Sequence, residues 1–194
     1  MNLELLTLDE FIRLLHELDK RIDCKITIKA IGGFSLMLNS QVLKISPIDA
    51  RFMSGDIDTF TPDYSAEVDR QIVMIGKEQR LESVMWLNND WAATRMYIDE
   101  LINEATWLDY DREKFEHIEL FYLNLESLLK LKVRALYVND AMNKKARLND
   151  LKDVESILSY FKEDANNLSA KVLEVFDRFP GSLDIFQAYF SGNY

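Results

Sequence analysis

The feature that most constrains the fold is a strand pattern that stops at two glycines and continues as a helix pattern. Residues 25–31 alternate polar and apolar side chains and contain β-branched residues, which is typical of a half-buried β-strand. Gly32-Gly33 ends this strand, and residues 34–43 then predict a helix packed on the sheet. A strand joined to a helix by a glycine turn favours an α/β fold.

A second strand, predicted at residues 56–60, carries two aspartates. Asp is a poor strand former, and residues i and i+2 of a strand point to the same face. Asp56 and Asp58 would therefore repel each other unless a cation lies between them, while Ile57 anchors the strand in the core. Carboxylate oxygens suit Mg²⁺, which completes its octahedron with substrate phosphates. The alternative is an acidic, solvent-exposed strand edge.

Helix caps identify two further elements. Thr7 and Glu10 have the spacing of a capping box ahead of an amphipathic helix, and Ser65 is a favourable N-cap for another. Residues 86–90 interrupt the helical pattern and are predicted to form a loop. A helix over roughly 91–103 is predicted to follow.

The last strands are predicted as a hairpin, after which the chain is helical. Residues 106–110 and 115–123 are the predicted arms, and the turn lies at 111–113. We therefore predict a mixed domain over residues 1–124 and a helical domain over residues 125–194.

The composition excludes several classes of protein. Of the 194 residues, 48% are hydrophobic, which is enough to bury a core and argues against disorder. The single cysteine, Cys24, excludes an internal disulfide and predicts a cytoplasmic location. No apolar run reaches the ~18 residues that a membrane span needs, so no membrane partner is predicted. Trp86, Trp91 and Trp107 are interpreted as core or interface residues rather than base-stacking residues.

The charge is distributed unevenly. A net charge of −10 argues against an extensive nucleic-acid surface, because phosphate binding needs Lys and Arg. Residues 130–152, however, contain seven basic and two acidic residues, so this stretch carries +5 and the rest of the chain carries −15. A local phosphate site is therefore compatible with the acidic total.

Four short motifs occur in an order that resembles a known enzyme family. They are G-G-x-S at 32–35, S-x-D-x-D at 54–58, L-L-x-x-K-x-x-A at 128–135 and R-x-x-D-x-x-D at 147–153. This order resembles the nucleotidyltransferase superfamily, which has the DNA polymerase beta-like fold. The most similar members are small bacterial proteins of the toxin and abortive-infection type. Residues 86–90 also resemble a loop of some relatives.

The resemblance implies a site for a nucleoside triphosphate (NTP) and Mg²⁺. Asp56 and Asp58 would be catalytic residues that bind the metal. The implied nucleotide-binding residues are Gly32, Gly33, Ser35, Ser54 and Lys132. An acceptor hydroxyl would attack the α-phosphorus and pyrophosphate would leave, a reaction that depends mainly on positioning and charge neutralisation.

The chain departs from the family at the third carboxylate, which in relatives lies on a neighbouring strand and activates the attacking hydroxyl. Glu119, on the second hairpin arm, is the first candidate for this catalytic role, and Asp109 and Asp111 are alternatives. For each of them the other interpretation is an exposed hairpin acid. Arg51 lies one residue further from the aspartates than the arginine of relatives and receives no role.

We therefore expect an α/β (α+β) protein in which a small mixed sheet flanked by helices has the nucleotidyltransferase fold and precedes a helical bundle. The resemblance implies a Mg²⁺-dependent transferase that moves an NMP to a hydroxyl of RNA such as tRNA, of a protein or of a small molecule. A toxin–antitoxin pair, with a cognate antitoxin as partner, is one implied setting. A degenerate fold that serves as a binding module is the alternative. A weaker alternative is an antibiotic-modifying transferase. The acidic clefts of such enzymes suit cationic drugs, and the net negative charge of this chain is compatible with such a cleft.

Overall fold

The computed structural model describes residues 5–44, 53–60, 64–88, 99–142 and 148–192, and these form a mixed α/β fold. Its helices are α1 (Leu8–Asp19), α2 (Gly32–Leu43), α3 (Ala66–Glu78), α4 (Asp99–Asn103), α5 (Leu125–Ala141), α6 (Leu148–Tyr160), α7 (Ala170–Asp177) and α8 (Ser182–Phe190). Its strands are β1 (Leu6–Thr7), β2 (Ile26–Ala30), β3 (Met53–Ser54), β4 (Ile57–Asp58), β5 (Leu87–Asn88), β6 (Trp107–Asp109) and β7 (Ile118–Leu123).

The strand that the alternating pattern predicts is β2, which lies in the middle of the central sheet. β2 pairs in parallel with β7, which pairs antiparallel with β6. On the other side of β2, an antiparallel bridge joins Ala30 to Thr59, directly after β4. Backbone hydrogen bonds from Ile31 N to Asp58 O (2.9 Å) and from Phe60 N to Lys29 O (2.8 Å) extend this contact. Since β4 pairs in parallel with β5, the strands lie in the order β5-β4-β2-β7-β6.

Helix caps form where the sequence predicts them. Thr7 caps α1 in a complete capping box with Glu10, and Ser65 caps α3. The buried carboxylate of Asp19 links the end of α1 to the start of β7. It accepts hydrogen bonds from three consecutive backbone N–H groups, those of residues 116–118, at 2.7–3.1 Å. The first two helices and β2 share one apolar cluster that contains Phe11 and Phe34.

The C-terminal helices form a second apolar cluster, which also takes in residues of the mixed part of the chain. Leu128, Val133 and Phe186 are fully buried in it, together with Ile31 and Leu123. These last two residues directly follow β2 and end β7, so the helical part packs against the end of the central sheet. Among the described residues after Asn124, every helix or strand assigned is a helix, which confirms the predicted change at residue 125.

The structure differs from the sequence prediction at residues 86–90. The predicted loop begins with the short strand Leu87–Asn88, and Trp86 is fully buried. Its indole Nε1 donates a hydrogen bond to the carbonyl of Ile72 on α3 (3.0 Å). Of the predicted helix over 91–103, the described part, Asp99–Asn103, is helical, whereas Trp91 lies outside the described residues. Within the described ranges, no helix has both the length and the apolarity to cross a membrane.

Candidate functional site

The glycine turn and the aspartate strand lie side by side. Gly32 opens α2 in the left-handed region (φ 64°), a conformation that L side chains rarely adopt. A Cβ atom placed on Gly32 would lie 3.0 Å from Oδ2 of Asp58. The N-cap of α2, Ile31, supplies no side-chain hydrogen bond to the first helical turn. The Asp58 carboxylate therefore lies at a helix N-terminus, where the helix dipole favours negative charge.

The two aspartates flank a buried isoleucine. Ile57 is fully buried, and its N–H donates to the carbonyl of Trp86 on the neighbouring segment (2.7 Å). Asp56 and Asp58, on either side of it, are both partly exposed. This alternation is what the sequence predicts for a strand that directs both carboxylates to one face.

A third polar residue, Asn88 at the end of β5, belongs to this site. Its side-chain amide donates to Oδ2 of Asp56 at 2.9 Å, and its backbone pairs in register with Asp58. Its carbonyl accepts hydrogen bonds from N (2.9 Å) and Oγ1 (3.0 Å) of Thr59. Asn88 is not among the predicted site residues; the signal in the sequence is an amide directly after the apolar pair Trp86-Leu87.

The two predicted serine ligands are buried. The Ser35 hydroxyl donates to the carbonyl of Leu123 (3.3 Å) and accepts from its N–H (3.0 Å), and the amide of Asn39 reaches the same carbonyl (2.7 Å). The Ser35 hydroxyl thus links α2 to the end of β7 through hydrogen bonds. Ser54 is 4% exposed and lies on β3, opposite Leu6 of β1.

Lys132 is not directed towards open solvent. It is 8% exposed, and its Nζ lies 2.7 Å from a carboxylate oxygen of Asp150 and 2.7 Å from one of Asp153. Burial opposes its charge, but the carboxylates of Asp153 and Asp150 outweigh burial and raise the pKa of Lys132. The structure therefore places two residues of the R-x-x-D-x-x-D motif around the lysine of the preceding motif. Arg147, like Arg51, lies outside the described residues.

The candidates for a third carboxylate lie away from Asp58. Glu119 is exposed and lies opposite Thr27 of β2. Asp58 lies opposite Ile31, which is four residues after Thr27 in the chain. Four residues span roughly 13 Å of strand. Asp109 lies on β6, three strands from β4, and Asp111 follows it; both are exposed. The structure thus places Asp58 beside Gly32, and Asp56 beside Asn88, whose backbone pairs with Asp58. It places Glu119 elsewhere.

The candidate donor set is the carboxylates of Asp56 and Asp58, of which Asp58 lies beside the N-terminus of α2. Among the described residues, no group of three or more His, Cys, Asp or Glu side chains is placed to hold a metal ion. Mg²⁺ is commonly held by one or two protein carboxylates, with water and phosphate oxygens as its other ligands. The carboxylates of Asp56 and Asp58 fit that pattern, and the first turn of α2, which begins at Gly32, has backbone N–H groups of the kind that bind phosphate.

Comparisons of this chain with known protein families, with curated proteins and with solved structures find no match.

Proposed function

We propose that this chain is a nucleotidyltransferase that uses Mg²⁺ to move an NMP from an NTP to an acceptor hydroxyl. The observation that carries the proposal is the contact between Gly32 and Asp58, which lie 26 positions apart in the sequence. A glycine turn at a helix N-terminus favours phosphate, and paired carboxylates favour a divalent cation. An NTP bound with Mg²⁺ needs both features in one place.

The roles of the individual residues follow from their positions. Asp56 and Asp58 would hold Mg²⁺, which when bound would neutralise charge on the phosphates. Gly32 would let the phosphates approach the N–H groups of the first turn of α2. Without a cation, the Asp58 carboxylate repels an anion at that turn, so phosphate binding should require a divalent metal.

A binding module without catalysis is the second candidate, and a specific observation favours it. Glu119 is distant from the aspartates, and Lys132 is enclosed by Asp150 and Asp153. The candidate third carboxylate therefore lies away from the aspartates, and the lysine expected to bind the phosphates is engaged in an internal ion pair. A chain that binds an NTP with Mg²⁺ but transfers no NMP would match this second candidate.

The first experiment measures nucleotide binding by the purified chain. The melting temperature is recorded with each NTP, with Mg²⁺ and with EDTA. A ligand present at 100 times its dissociation constant adds about 2.7 kcal/mol of stability. For a chain of this length, that corresponds to a rise of roughly 5–11 °C in melting temperature. We expect this rise only with Mg²⁺.

Matched variants assign the rise to the site. The pair Asp56→Asn and Asp58→Asn should abolish it. The pair Asp23→Asn and Asp177→Asn changes the net charge equally at two exposed positions and should preserve it. Glu119→Gln should also preserve it. A rise that survives the loss of both site aspartates would refute the proposed site, and the lack of a rise with any NTP would refute nucleotide binding.

Catalysis is measured separately, with NTPs labelled at the α-phosphate. Incorporation of label into tRNA, or into the chain itself, identifies a transferase and the acceptor class. Binding without incorporation would favour the module. Incorporation that persists in the variant lacking both Asp56 and Asp58 carboxylates would contradict the assignment of these residues.

A further inference from the structure

The position next to the aspartates on the neighbouring strand is held by an amide. We propose that Asn88 is the positioning residue of Asp56, and that it occupies the place where a third carboxylate would otherwise contact the metal. This inference rests on the proposed function and refines it. It implies a two-carboxylate site that binds a divalent cation strongly only together with NTP phosphates.

Asn88 is fixed at its backbone and at its side chain. β5 runs parallel to β4, with Asn88 opposite Asp58, and the Asn88 carbonyl accepts two hydrogen bonds from Thr59. The residue is 8% exposed, and its amide donates to Asp56 Oδ2 at 2.9 Å. A side chain held in this way restricts the orientation of the Asp56 carboxylate.

The choice of an amide has an electrostatic consequence. A carboxylate at position 88 would put a third negative charge beside Asp56 and Asp58, and such a cluster is unfavourable without a cation. The Asn88 amide instead donates a hydrogen bond to the charged form of Asp56. This would reduce the repulsion within the site in the absence of metal, and phosphate and water oxygens would supply the remaining ligands of a bound cation.

The main test converts the amide to an acid and measures metal binding without nucleotide. Asn88→Asp should melt below the native chain in EDTA, because it adds a like charge beside Asp56. Millimolar Mn²⁺ should raise its melting temperature more than it raises that of the native chain. Asn103→Asp, which adds the same charge at an exposed position, is the control and should show no gain from Mn²⁺. An equal response to Mn²⁺ in both variants would overturn the inference.

A second variant exchanges the two side chains and keeps the charge constant. Asp56→Asn combined with Asn88→Asp lets the hydrogen bond form in the reverse direction. Its melting temperature in EDTA should rise above that of Asn88→Asp alone. Combining Asn88→Asp with the distant Asp23→Asn should give no such recovery. Equal melting temperatures of the two double variants would show that Asn88 and Asp56 are not coupled, which overturns the positioning role.

A third measurement links Asn88 to the nucleotide complex. Asn88→Ala should weaken the affinity for Mn²⁺, measured with a non-hydrolysable NTP, by about 10–100-fold, as for other residues that orient a metal ligand. An unchanged affinity would contradict the role. If the native chain binds no NTP while Asn88→Asp still gains Mn²⁺ affinity, the proposed function fails and the placement of Asn88 stands.

Discussion

Replacing Lys132 by methionine tests whether this lysine stabilises the helical part of the chain. In the structure its ammonium group lies 2.7 Å from carboxylate oxygens of both Asp150 and Asp153, on the adjacent helix. All three side chains are buried, with exposures of 8%, 7% and 1%. Met has an unbranched side chain of similar size but lacks the ammonium group and its hydrogen bonds, so the variant leaves two buried carboxylates without the cation between them.

The expected loss is large. Removing one partner from a buried ion pair costs about 3–5 kcal/mol, because the remaining charge stays desolvated. For a chain of 150–250 residues, this corresponds to a fall of roughly 6–20 °C in melting temperature. Replacing both acids by asparagine in the same chain should recover part of the loss, since no unpaired charge then remains.

Thermal and urea unfolding of the purified variants supply the measurement, with Lys152→Met as control. Lys152 is exposed on α6, between the two acids in the sequence, and its loss should change stability by less than ~0.5 kcal/mol. An equal effect of the two lysine variants would refute the buried triad. A stable Lys132→Met variant that no longer binds NTP would show that the lysine acts on phosphate instead.

The pH dependence of this variant also has a defined sign. Because the pKa of Lys132 is raised in the folded chain, the stabilisation of the fold by its charge is fully present below the ordinary pKa of lysine. The contribution is lost as pH rises through the folded value. The difference in stability between native chain and Lys132→Met should therefore stay constant from neutral to moderately alkaline pH and shrink only in strongly alkaline solution.

Three further substitutions test the packing of α3, the attachment of α1 to β7 and the glycine turn. Gly76→Ala would place Cβ 2.5 Å from a backbone oxygen of the segment after α3, and urea unfolding should show a loss of about 1–3 kcal/mol. Asp19→Ala removes the acceptor of three backbone N–H groups, so a loss of about 2–4 kcal/mol is expected, with faster hydrogen exchange at those amides. Gly32→Ala, at positive φ, should cost about 1–3 kcal/mol and abolish the NTP-dependent rise in melting temperature. Gly55→Ala, with no atom within 4 Å of its Cβ, is the control; equal effects of these last two would contradict the strained turn.

Local patterns of the sequence predict the elements that carry the site. The alternation over 25–31 locates both ends of β2 within one residue, and the glycines after it locate the start of α2 within two residues. Burial of alternate side chains and positive φ at Gly32 are local requirements, which is why a local pattern predicts them. The family resemblance implies that Gly32 and Asp58 belong to one site, and in the structure the two residues lie next to each other.

The partners of buried polar groups depend instead on how elements pack. Nothing in the sequence near Ser35 shows that its hydroxyl bonds the backbone of Leu123, 88 residues away. The spacing of Lys132 on an amphipathic helix is likewise compatible with a phosphate ligand or with an internal ion pair. Only the packing of α5 on α6, which sets Asp150 beside the lysine, separates these interpretations.

The order of strands determines which residues can assist Asp58. A strand inside a sheet has two neighbours, about 4.8 Å away on either side, and more distant strands lie beyond the reach of a side chain. For β4 these neighbours are β2, whose nearest residue is apolar Ile31, and β5, which ends in Asn88. The order of the strands therefore excludes an acid on β7 or β6 from contact with Asp58. Among the described strands, a third ligand for the proposed metal would therefore have to come from the end of β5. For this reason, converting Asn88 to an acid is a more direct test of metal binding than removing Glu119.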